Sequence, residues 1–180
     1  MPRMLPALLF CTSLGASLLA CHRKEPPQKS ASAEAAADLA NGMYLATGIF
    51  PTMTAAETSA GESRILTDRY IYDPPSERPP PRYVAIDATQ YVPFVFETAP
   101  RATLDPNGRT ILSIALDANH TERLKEFTTR HLGKSTAMVV GGELVSVHKI
   151  KEPITGGKLQ ITSCGADVCK VLHSRLVGTD

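Results

Sequence analysis

Tryptophan is absent from this chain of 180 residues, and neither sign of charge is in excess. Nineteen Lys and Arg stand against 18 Asp and Glu, a formal net charge of +1. Without a field over the whole molecule, electrostatics selects neither nucleic acid nor an acidic partner. The sequence also holds no H-E-x-x-H, no G-x-S-x-G, no P-loop and no G-x-G-x-x-G. Its histidines, His22, His120, His131, His148 and His173, form no paired motif. His120 and His131 would sit roughly 16 Å apart along a helix axis, too far to share a metal. Glu122 and Glu126 fall at i, i+4 among Arg123, Lys125 and Arg130, the pattern of a solvated helix face. No catalytic residue, metal site or cofactor is therefore expected. What is present is ordinary globular composition, 43% hydrophobic and 21% charged. That excludes collagen-like, coiled-coil and wholly disordered chains and suits one folded unit with appendages.

One long apolar run stands out, Met4 to Ala20, preceded by the single cation Arg3. This is the layout of a secretory signal over residues 1–20. The run is short against the ~20 apolar residues of a bilayer span, and Ser13, Gly15 and Ser17 dilute it. Its end, Leu18-Leu19-Ala20-Cys21, resembles the lipobox of bacterial lipoproteins. The resemblance implies cleavage after Ala20 and acylation of Cys21, so that covalent lipid, not a cofactor, anchors the chain. Two or three acyl chains hold stably where one would not. His22 in place of aspartate after that cysteine implies delivery to the outer membrane rather than retention at the inner one, with the protein facing the periplasm.

Cysteine counting fits the same compartment. Cys11 leaves with the leader and lipid consumes Cys21, which leaves Cys164 and Cys169. An even remainder in an exported protein points to a disulfide, worth about 2 kcal/mol for so short a loop. Metal binding or thiol exchange by the same pair is the alternative.

Removal of residues 1–20 takes only Arg3 from the charges, leaving 18 basic against 18 acidic residues. Residues 21–41 read as a tether, proline-bearing at Pro26-Pro27 and then alanine-rich. Residues 42–82 read as two strands, Met43–Phe50 and Ile65–Tyr72, joined by a loop over Pro51–Gly61. They end in a polyproline-type connection, Asp73–Arg82, that marks a boundary. Residues 83–180 then read as strands at Tyr83–Asp87, Tyr91–Phe96 and Thr110–Leu116, with a turn at Asp105–Gly108. A helix follows, capped by Asn119 with Glu122 and closed by Gly133, with Leu124, Phe127, Thr128 and His131 on one stripe. Three strands, Thr136–Val140, Glu143–Ile150 and Lys158–Thr162, and a helix over Ala166–Leu176 complete the chain. Gly141-Gly142 would make a tight turn, and Gly156-Gly157 would permit positive φ. The fold class expected is α+β, a mixed or antiparallel sheet with two helices packed on one face.

Several stretches, in order, resemble the head subdomain of the first periplasmic (P1) domain of SecD and SecDF. They are Phe127–Lys134, Ala137–Gly142, Ser146, Glu152–Gly157 and Ile161-Thr162, within an overlap of roughly residues 110–177. The chain departs from that pattern at Gly141, His148 and Ser163, which stand where the family has aspartate, proline and glycine. The resemblance implies a non-catalytic, membrane-tethered module that engages a polypeptide or envelope-protein partner and serves protein export. No run in this sequence corresponds to the membrane helices through which SecD-type proteins couple export to a proton gradient. The alternative is a periplasmic enzyme or a metal- or thiol-active protein using the histidines or Cys164 and Cys169.

Overall fold

The computed structural model describes residues 39–70, 76, 78–106, 108–164 and 166–178. Cys21, the leader and nearly all of the expected tether lie outside the described residues, as does most of Asp73–Glu77. The elements are β1 (Gly42–Phe50), α1 (Met53–Ser59), β2 (Arg64–Asp68), β3 (Arg82–Pro93), β4 (Phe96–Leu104), β5 (Thr110–Leu116), α2 (Ala118–Arg130), β6 (Ser135–Val140), β7 (Glu143–Lys149), β8 (Lys158–Cys164) and α3 (Ala166–Val177).

The strands form two antiparallel sheets, one of five strands in the order β2-β3-β1-β6-β7 and one of three in the order β4-β5-β8. The class α+β stands, but the single sheet with two helices does not. β2 and β7, at opposite ends of the five-stranded order, approach each other, so that sheet curls on itself.

Period-2 patterning explains how both faces of the large sheet are used. Along β1, Met43 and Leu45 enter a core shared with the small sheet and the helices, while Tyr44 and Ala46 enter a second core inside the curl. β6 does the same with Met138 and Val140 on one side and Ala137 and Val139 on the other. Strands apolar on both faces belong in the middle of a sheet, and both are interior here.

The proline-rich connection is not a boundary. β1 lies between β3 and β6, and β2 pairs with β3 from Arg64 opposite Ile86 to Asp68 opposite Arg82. β2 stops at Asp68, short of the expected Tyr72, and its end is fixed by a buried carboxylate. Asp68 accepts from Arg82 at 3.0–3.1 Å and from the Tyr70 backbone N–H at 3.1 Å. Tyr70 itself takes a φ of 50°, and the Arg82 guanidinium lies 5.3 Å above its ring.

Three further expectations change. The loop over Pro51–Gly61 contains α1, whose first turn is capped by the Thr52 hydroxyl accepting from Ala55 N–H. Seven residues with only Ala56 buried carry no apolar stripe to announce a helix. Tyr83–Asp87 and the start of Tyr91–Phe96 are one strand, β3, interrupted by a bulge: successive β1 residues Tyr44 and Leu45 face Tyr91 and Asp87. The Asp87 carboxylate organises the bulge, accepting from Thr89 N–H, Thr89 Oγ1 and Gln90 Nε2. These bonds, the Thr89 hydroxyl foremost, hold its pKa below the usual carboxylate range.

The cap of α2 is Asp117, not Asn119. Its carboxylate accepts from His120 N–H at 2.7 Å and also contacts His120 Nδ1 at 2.7 Å. We expect Asp117→Ala to cost about 1 kcal/mol in urea unfolding and Asn119→Ala to leave the midpoint nearly unchanged. Equal losses would return the cap to Asn119.

Candidate functional site: the open face of the small sheet

The small sheet has one dry and one wet face. Leu112, Ile114 and Leu116 of β5, with Leu159 and Ile161 of β8, point inward and are buried. α3 closes this side by packing on β4 and β5, and His173 Nε2 lies 3.0 Å from the Pro100 carbonyl oxygen. The other face is open. In register across the strands, Thr98 stands opposite Ala115 and Arg101 opposite Ser113, while β8 brings Lys158 opposite Ala115 and Gln160 opposite Ser113. These six side chains line a groove of about 470 Å³. Among the described residues, the strands that bound it, β4 and β8, each have a strand neighbour on one side only. Hydroxyls, an amide and two cations in a shallow trough can bind by hydrogen bonding and charge, but no nucleophile–base pair is among them.

His22 lies outside the described residues, and the four described histidines do not converge. His120 belongs to the α2 cap, His148 is exposed on β7, and His173 meets β4. Among the described residues no group of three or more His, Cys, Asp or Glu side chains gathers to hold a metal. His131, at the C-terminal cap of α2, is 5% exposed, edge-on to Phe127 at 4.9 Å, and its Nδ1 has no hydrogen-bond partner among the described residues.

Burial, reinforced by the charges of Lys134 and Arg130 and only partly opposed by Asp87, pushes the His131 pKa down. The unfolded chain therefore takes up the proton first as pH falls. Stability tied to this ring is full above about pH 6.5 and is lost as pH drops below it toward the lower folded value. Urea midpoints are expected to fall between pH 7.5 and 5.0 in the natural protein and to fall less in His131→Phe. An equal fall in both would clear this residue.

Gly133 has φ +79° and donates its N–H to the Ile150 carbonyl; Gly141 and Gly142, at +59° and +74°, make the tight β6–β7 turn. Gly157 has φ +61°, but Gly156 has no positive φ and open space where a Cβ would be, so it carries no such constraint. Cys169 is 1% exposed in the main core and is disulfide-bonded; the side chain of Cys164 lies outside those described.

Residues 97–168 match the family described as SecDF, P1 head subdomain. This segment is similar to the SecD/SecDF P1 head subdomain. The protein translocase subunit SecD of Acidaminococcus fermentans is 27% identical over 62 residues, 34% of this chain and 15% of that protein. SecD of Borreliella burgdorferi is 40% identical over 58 residues, 32% of this chain and 10% of that protein. The chain thus spans only a small part of these relatives. A solved structure of SecDF, described as a membrane component that enhances protein export, aligns over 86% of this chain and 71% of that one at 18% identity, with a TM-score of 0.46.

The P1 head-like segment begins earlier than the sequence resemblance and takes in nearly all of β4, then β5, α2, β6, β7, β8 and the first residues of α3. The groove is therefore entirely its own. β4, like α1, carries no clear sequence signal: Pro100 and the run Glu97–Ala99 break any alternation, so nothing marks Thr98 and Arg101. Register shifts in the β4–β5 pairing, flanking Thr98, accommodate the irregularity.

Proposed function

We propose that this protein is a lipid-anchored module of the bacterial envelope that holds an extended polypeptide during or after export and performs no catalysis itself. The observation that carries the reading is the P1 head-like segment, whose relatives are protein translocase subunits. The open face of β4-β5-β8 supports it, because a sheet with free edges and hydrogen-bonding side chains suits an extended chain. Acylated Cys21 is the anchor, with residues 21–41 as the tether and the outer membrane as the destination. Cys164 and Cys169 form the disulfide that fastens the end of β8 to α3.

Binding of a permanently unfolded, reduced and carboxymethylated protein to the purified chain tests the function. Saturable binding that a folded competitor does not displace is expected; no binding by a chain of native stability contradicts it. Fractionation with Cys21→Ser tests the anchor: release from the membrane is expected, and a cleaved variant that stays in the lipid fraction contradicts it.

A further inference from the structure

We propose that the groove on the small sheet selects acidic extended segments, binding two carboxylates through Arg101 and Lys158. This inference rests on the polypeptide-binding reading and names the chemistry of its partner. Both residues are exposed, and no ion pair to either is found among the described residues, whereas Arg82, Arg109, Lys125, Lys170 and Arg175 all pair with carboxylates. Among the described residues no carboxylate lines the groove, which leaves its two cations without a lining counter-charge although the chain as a whole is almost neutral. Hydroxyls of Thr98 and Ser113 and the Gln160 amide lie beside the two cations and add hydrogen bonds to a backbone or a carboxylate.

The register sets the spacing. Arg101 faces Ser113, Ser113 faces Gln160, and Lys158 is two residues along β8 from Gln160. Strands ~4.8 Å apart with a rise of ~3.3 Å per residue put the two Cα atoms roughly 12 Å apart. In an extended peptide, side chains at i and i+4 share a face and stand about 13 Å apart. Two carboxylates in that relation match the spacing of the two cations across the trough. Charge-assisted hydrogen bonds are the stronger kind, and exposed ones weaken with salt.

The test is fluorescence anisotropy of the full chain in a neutral detergent with a labelled Thr/Ser-rich peptide carrying Glu at i and i+4, against the same peptide with Gln at both. The Glu peptide is expected to bind roughly tenfold or more tighter, with the advantage falling between 0.05 and 0.5 M salt. Arg101→Gln and Lys158→Gln should each remove most of that advantage, and Arg123→Gln, an exposed cation on α2, should not. Unchanged urea midpoints establish that the variants fold. Equal affinity for both peptides overturns acidic selection and leaves polypeptide binding standing. Binding of an unfolded protein without binding of either peptide overturns the groove as the site. Displacement of the Glu peptide by phosphatidylglycerol vesicles, dependent on the same two residues, reassigns the groove to lipid and overturns the proposal. Failure of every polypeptide probe removes the functional reading as well.

Discussion

A fragment from Arg82 to Gly178 is expected not to fold, although it contains the whole P1 head-like segment and starts next to the proline-rich connection. It would lack β1, and β6 would lose its inner neighbour. Met43, Tyr44 and Leu45 are 4%, 1% and 5% exposed and divide between the two cores. At about 1.5–3 kcal/mol for each large side chain buried, three of them amount to roughly 5–9 kcal/mol, comparable to the net stability of a typical domain.

Polar ties would go too. The Thr136 hydroxyl donates to the Tyr44 carbonyl at 2.9 Å, and Asn41 receives the Gly141 N–H at 2.7 Å while donating to the Arg175 carbonyl at 3.1 Å. The Tyr44 hydroxyl donates to the Ala40 carbonyl, and burial pushes its pKa up to about 12. Circular dichroism and urea titration check the expectation: a cooperative transition is predicted for 39–178 and a non-cooperative one for 82–178. A fragment unfolding at the parent midpoint would mean that β1–β3 are an accessory layer.

Gly157→Ala should be the most damaging of the glycine substitutions, at about 2–5 kcal/mol. Positive φ costs an L-residue roughly 1–2 kcal/mol, and overpacking adds about 1–3. A Cβ at Gly157 would lie 2.0 Å from Thr121 Oγ1, 2.9 Å from its Cβ and 3.0 Å from its Cγ2. The position cannot simply give way, because the Gly157 carbonyl accepts from Leu116 N–H at the end of β5. Thr121→Ala in the same chain should restore part of the loss but not all, since Thr121 Cβ stays in place. At Gly156 the same substitution should cost little, with nothing within 4 Å of its Cβ position. Equal losses at 156 and 157 would contradict the argument.

The legible parts of the fold were those where one physical signal dominated. β5 was read to the residue because Leu112, Ile114 and Leu116 alternate cleanly and all turn inward. The stripe Leu124, Phe127, Thr128 and His131 was read correctly because a 3.6-residue period is hard to mimic. Local capping was ambiguous, since Asp117 and Asn119 both suit the start of α2 and only the geometry chooses.

Long-range partnership was not legible at all. Nothing in Met43–Phe50 announces that it will lie between a strand some forty residues on and another nearly a hundred on. The groove was hidden for the same reason: Arg101, Ser113 and Gln160 meet only through pairing across three strands, one of them broken by Pro100.

Photo-crosslinking in living cells tests the central claim most directly. A benzophenone amino acid at Ser113, on the open face, is predicted to capture newly exported polypeptide chains, and more of those rich in Glu and Asp. The same probe at Glu126, on the solvated face of α2, is predicted to capture few. Equal capture at both positions, or capture at Ser113 of phospholipid alone, would contradict the account.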